Sequence, residues 1–241
     1  MVRLRHDVTD RRHAGSEHLS GVGMNDFTTR LALYWPALLD GALTTLWLCA
    51  ASMVLGFVIG VLIHLIGTGR SRSGAVFARV YVSFFRGTPM LAQLLLLFYL
   101  PSALNIDVPP LMAAGLALAL NTAAYQSQIL RSGFAAIPKG QLEAARVFSI
   151  GKWQALTRIQ LPQVLRLTSP ALISELIDVI KVSAVVSVIS ITDLMRVSQQ
   201  LVSQTYRPLE VYLVAAVFYL ALTSLLSVLG RLLERRWQER A

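Results

Sequence analysis

The sequence predicts an all-α integral membrane protein of five transmembrane helices, with its N-terminus outside and its C-terminus in the cytoplasm. Three observations predict it. Hydrophobic residues make up 55% of the 241 residues and charged residues only 15%, whereas a soluble domain carries about a quarter charged residues to cover its surface. Four stretches long enough to cross a hydrocarbon core of about 30 Å hold nothing ionised at pH 7. The flanking Lys and Arg residues fall on consistent sides only if a fifth segment also crosses.

The same composition excludes other classes. A disordered chain and a cytosolic globular enzyme are both too polar to match it. The lone Cys49 excludes an internal disulfide and any multi-cysteine metal site. The net charge of +9 and pI of 10.3 fit basic loops facing anionic membrane lipid, with no nucleic acid among the partners.

Residues 1–36 read as a polar tail and lead-in segment. The first 23 carry Arg3, Arg5, Arg11 and Arg12 with no apolar signal-peptide core behind them, and Met24 offers an alternative start. His6, His13 and His18 are spaced too irregularly for a ligand set. The domain proper is 37–236, followed by a short tail, 237–241. Its clear spans are expected at 41–66, 87–105, 110–130 and 211–230, between Asp40 and Arg70, Arg86 and Asp107, Asp107 and Arg131, and Glu210 and Arg231. The connector 101–110 holds Asp107 and no basic residue, so it faces outward. The segment after the third span holds six basic residues from Arg131 to Arg166 against Glu143 alone, and the C-terminal end is basic too. Both belong inside, so 167–191 must cross as the remaining span despite Glu175, Asp178 and Lys181. Each such charge facing lipid would cost about 2.5–3.5 kcal/mol, which places this helix inside the bundle or beside water.

Helical spacing collects the polar groups into stripes. Asn121, Tyr125, Gln128 and Ser132 share one face, as do Arg86, Pro89 or Met90, and Gln93; Ser174, Glu175, Asp178 and Lys181 cluster within two turns. Stripes on three spans point to a hydrophilic pathway, against the plainer alternative of hydrogen bonds that only hold helices together. Asp178 and Lys181, spaced i, i+3, are the natural structural pair, and Cys49 and His64 read as packed core groups. The interior connector 131–162 reads as helix, Gly151, helix, with Pro162 opening the next helix. Phe148 and Trp153 have little within that loop to cover them, which leaves docking onto a protein partner or lying in the lipid interface.

The strings EAA (Glu143, Ala144, Ala145), Gly151 and Ile159–Gln160–Leu161–Pro162 resemble the cytoplasmic coupling motif of ATP-binding-cassette importer permeases. FFRGTPMLAQ (84–93), LNTAAY (120–125), IPKGQLEAA (137–145), LPQVLR (161–166) and YRPLEVYLVAAVFYLAL (206–222) are similar to the polar amino acid branch of that family, over residues 37–236. The resemblance implies the type I importer permease core in the bacterial inner membrane. It also implies a second permease chain, paired as a homo- or heterodimer, a cytoplasmic ATP-binding subunit dimer, and a periplasmic solute-binding protein. Coupling would fall to Glu143, Ala144, Ala145, Phe148, which fills a slot on the ATPase, and Gly151, which permits a tight turn. The substrate pathway would include Arg86, Thr88, Gln93, Asn121, Tyr125, Gln128, Glu175 and Lys181. Family members commonly have an acid where this chain has Gln128, which weakens the case for a cationic substrate, and Lys181-Val182-Ser183-Ala184 thins the family's K-x-T-S pattern. The implied cargo is a polar or neutral amino acid or a related compound such as an opine.

The chain has no phosphate-binding G-x-x-x-x-G-K-[ST] loop, so it is expected to hold no cofactor and to leave ATP, Mg and hydrolysis to the partner. An ion-gradient-driven carrier is the alternative, opposed by the lack of an internal repeat. An intramembrane enzyme fits worst, since no H-E-x-x-H motif or spaced Ser/His/Asp set is present.

Overall fold

The computed structural model describes residues 10–238, with side chains described from 29 to 232. Residues 1–9, and the side chains of Arg11, Arg12, His13 and His18, lie outside that range. Among the described residues every regular element is helical.

The first helix, α1 (Asp10–Thr68), is longer than the sequence suggested and runs without a break through residues 10–36. Its apolar part, Thr29–Thr68, is 40 residues, about 60 Å at 1.5 Å per residue and so about twice the hydrocarbon thickness. It packs along α4 (Pro110–Ala135). The seam is made of small residues: a Cβ on Gly60 would lie 3.1 Å from the Ala123 carbonyl oxygen, and one on Gly56 would run into the Thr122 methyl. Gly56 and Gly60 are spaced G-x-x-x-G, the pattern that lets two helix backbones approach closely. Facing them, Ala119 and Ala123 are completely buried.

The expected span 87–105 is a broken element. α2 (Arg72–Gly87) and α3 (Met90–Ala103) meet at an angle of 108°. α3 alone has 14 residues, about 21 Å, too short for a bilayer. The break follows from Pro89, which disfavours helical backbone at the residue before it; Thr88 accordingly adopts φ −114°, ψ 149°.

Pro138 precedes α5 (Lys139–Val147), and a single turn α6 (Lys152–Gln154) passes through a π-helical stretch, Ala155–Gln160, into α7 (Leu161–Val182). The next helix thus starts before 167, with Pro162 in its first turn and the wide π turn upstream of the proline ring. Nor is 167–191 a single α-helix. After Val182 the backbone tightens to a 3₁₀ stretch, Ser183–Ile189, and turns at Ser190 with φ 66°. Ser183 Oγ donates to Ile180 O and Ser187 Oγ to Ala184 O, both at 2.8 Å, which favours the tighter coil over the α ladder. A helix without a counterpart in the expected spans follows, α8 (Leu194–Thr205), capped by Asp193 Oδ1 accepting from the Arg196 N–H at 2.8 Å. The last, α9 (Pro208–Gln238), exceeds the expected 211–230 at both ends.

By length and apolarity Thr29–Thr68 and Pro208–Leu232 can each cross a membrane, and the bent α2–α3 pair makes a third if it counts as one span. α4 and α7 are long enough but striped with polar groups. Among the described residues three apolar clusters hold the bundle, centred on Leu94, Leu118 and Ile180; on Leu38, Leu194 and Val211; and on Leu130, Ile137 and Val164. Large apolar residues such as Val54 and Val58 on α1 and Leu213 and Leu220 on α9 stay exposed, as expected of faces turned to lipid or to another subunit.

Candidate translocation site

The α2–α3 break is held by two amides. Gln93 Nε2 donates to Phe85 O (2.9 Å), Thr88 O (3.0 Å) and Thr88 Oγ1 (2.8 Å). Asn121 Nδ2, from α4, donates to Gln93 Oε1 (2.9 Å) and Phe85 O (3.0 Å). These bonds take up carbonyls that the helix break leaves without partners, so Gln93, only 3% exposed, acts as a clamp at the bend. Arg86 lies with its guanidinium 5.1 Å from the centre of the Tyr125 ring, a cation–π contact. Arg86, Thr88, Gln93, Asn121 and Tyr125 therefore meet around one elbow.

Beside it opens a cavity of about 420 Å³, lined by Asn121, Tyr125, Glu175, Asp178 and Lys181 together with Leu118, Val179 and Val182. Lys181 Nζ and Asp178 Oδ1 are 2.6 Å apart, the pair that their spacing suggested. Glu175 Oε1 accepts from Thr122 Oγ1 at 2.7 Å; Thr122 Oγ1 in turn accepts from Gln126 Nε2 at 3.1 Å, and that amide also reaches Met53 O on α1 at 3.2 Å. Thr122 and Gln126 are completely buried. They form a second polar stripe on α4, spaced i, i+4, beside the Asn121 stripe. The cavity thus presents fixed carboxylate and ammonium groups and an aromatic ring, a wall able to hold a ligand carrying both charges.

Gln128 is not brought to this set. It shares the Asn121 stripe but sits about 10 Å further along the axis, where α4 meets α1 and α2. There it lines a separate cavity of about 430 Å³ with His64, Arg79 and Arg131. Ser132 and Ser174 are exposed.

In the loop, Glu143 and Ala144 are exposed on α5, while Ala145 is buried. Val147, Phe148 and Trp153 are 81%, 78% and 73% exposed. The left-handed residue that turns the chain is Ser149, at φ 55°. Gly151 has φ −61°, which any residue adopts, and a Cβ there would approach only Gln154 Oε1, at 3.9 Å. Within this chain, then, the turn rests on Ser149. Among the described residues no group of three or more His, Cys, Asp and Glu could hold a metal ion.

Residues 56–239 match the family model of the binding-protein-dependent transport system inner membrane component. The chain belongs to that family. The permease is 37% identical over 202 residues to the arginine transport system permease protein ArtQ of Bacillus subtilis (strain 168), covering 83% of this chain and 92% of the relative. It is 36% identical over 200 residues to a putative glutamine transport system permease protein, GlnP, of Rickettsia conorii (strain ATCC VR-613 / Malish 7), with the same coverage. A crystal structure of an amino acid ABC transporter with histidines superposes with a TM-score of 0.80 at 35% identity, over 86% of this chain and 97% of the other. The protein is therefore a transport permease subunit of the ABC importer class, as its motifs implied, and these similarities give the ion-gradient carrier no support.

Proposed function

We propose that this permease forms, with a second permease chain, the inner-membrane pathway of an ATP-driven importer for a polar amino acid or a related compound such as an opine. Five segments cross: α1, the α2–α3 elbow, α4, α7 and α9, with the N-terminus outside. The α5–α6 loop and the end of α9 then share the cytoplasm, as the basic residues of both require. A solute-binding protein delivers the cargo from outside. ATP and Mg bind a separate cytoplasmic ATPase pair, which moves each permease through Glu143, Ala144, Ala145, Phe148 and Gly151. The cargo meets the cavity of Tyr125, Glu175, Asp178 and Lys181, where carboxylates suit an α-ammonium group and Lys181 suits an α-carboxylate. Relatives named for arginine and glutamine support an amino acid as the cargo.

The observation that carries this reading is the apolar crest of Val147, Phe148 and Trp153, exposed beside Glu143 on a loop too small to cover it. Glu143→Arg in the assembled transporter should lower ATP-dependent uptake roughly 5- to 150-fold, the range of a typical coupling free energy, with the chain still inserted in the membrane. Uptake at the wild-type rate would overturn the coupling assignment.

A further inference from the structure

The cavity that holds Gln128 has no part in the proposed cargo route, and its chemistry differs from that of the α4–α7 cavity. It lies where the end of α1, the middle of α2 and the last third of α4 meet, and Arg70 and Arg72 fall in the α1–α2 junction next to it in sequence. Its polar wall includes His64, Thr68, Arg79, Ser83, Gln128 and Arg131, with no carboxylate among the lining residues. Arg79 Nε makes one weak bond to the Ala75 carbonyl of its own helix, at 3.3 Å. None of the ion pairs among the described residues reaches Arg79 or Arg131, and neither is among the residues with further contacts. His64 is 8% exposed and stacked on Phe134 with ring centres 4.7 Å apart, and no hydrogen bond of its ring is found among the described residues. Two exposed guanidinium groups, a buried imidazole and a half-buried amide thus line one space, and among the described residues Arg79 Nε alone of their side-chain donors is engaged. Two like charges facing one cavity repel unless an anion joins them.

We propose that this cavity binds the phosphate of an anionic phospholipid, with Arg79 and Arg131 as its principal ligands. Guanidinium groups match phosphate oxygens in geometry and charge, and basic pockets between transmembrane helices at the cytoplasmic boundary suit such headgroups. A lipid fits better than a free anion because of what borders the lining. Leu62 and Ile66 form an i, i+4 row on α1 and Val76 and Val80 one on α2, 52%, 41%, 43% and 62% exposed, and Ile66 lies against Gly74 at the α1–α2 junction. They offer acyl chains an apolar track leading from the polar wall. Bound there, the lipid clasps α2 to α1 and α4 and stiffens the base of the α2–α3 elbow.

Native mass spectrometry of the full chain, purified in mild detergent with its accompanying subunits and then delipidated, tests this. The probes are phosphatidylglycerol, phosphatidylethanolamine and inorganic phosphate. The wild type should prefer phosphatidylglycerol, and Arg79→Gln/Arg131→Gln together should reduce that preference about tenfold or more. Arg79→Lys, which keeps the charge, and Arg166→Gln, a basic site outside the cavity, should retain most of it; an unchanged complement of accompanying subunits on the double variant itself shows that its loss is not misfolding. Equal retention of phosphatidylglycerol by the double variant would overturn the site. Binding of inorganic phosphate that depends on both arginines, without a preference for phosphatidylglycerol, would overturn the lipid as its occupant.

Discussion

α4 lines two cavities of nearly equal size, about 420 and 430 Å³, and the difference between them is electrostatic. Where α4 faces α7, Glu175, Asp178 and Lys181 place both signs of charge around one space, and Thr122 and Gln126 anchor Glu175 from behind. About 10 Å along the same helix, where α4 faces α1 and α2, the wall is cationic and has no acid. A polar stripe on one helix therefore does not define one site. Its partner helix at each depth decides whether a group meets a compensating charge or an uncompensated one, and so what the cavity can hold.

Both cavities depend on the α1–α4 seam, so breaking it should have the largest effect. Gly56→Leu drives a branched side chain into Thr122 and the Ala119 carbonyl. Such overpacking costs about 1–3 kcal/mol or more, and membrane-inserted protein measured by immunoblot should fall severalfold, with uptake and lipid retention lost together. Glu175→Leu separates the cavities. It leaves the buried Thr122 hydroxyl without its acceptor, at a cost of about 1–3 kcal/mol, and uptake should fall at least about tenfold while phosphatidylglycerol retention by native mass spectrometry stays unchanged. The smallest effect is expected from Gln128→Glu, which adds an acid to the cationic cavity. Phosphatidylglycerol retention should weaken a few-fold, about 1 kcal/mol. In competition uptake assays, the preference between neutral and cationic amino acids should not move. A clear shift toward cationic substrates would bring Gln128 back to the cargo route and merge the two cavities into one.

Much of the site was legible residue by residue. The spacing of Asp178 and Lys181 announced their ion pair, and Arg86, Thr88, Gln93, Asn121 and Tyr125 do gather at one elbow. Two further features carry a signal in the sequence: the G-x-x-x-G of Gly56 and Gly60, and the i, i+4 pair Thr122 and Gln126. α8 carries a weaker signal, because it is a short amphipathic helix that contains Arg196 and so does not stand out as a long uncharged span.

The sequence by itself determined that this chain lives in a membrane, which family it belongs to, and which face of each helix is polar, because hydropathy, motif and helical period are local properties of the chain. Tertiary structure alone decided that Gln93 and Asn121 are spent on clamping a bend and that Gln128 parts company with Tyr125. It also left Arg79 and Arg131 facing one cavity without a counter-charge. Those outcomes depend on which backbone carbonyl or side chain lies opposite a group in space, and no periodicity within one helix encodes its neighbour.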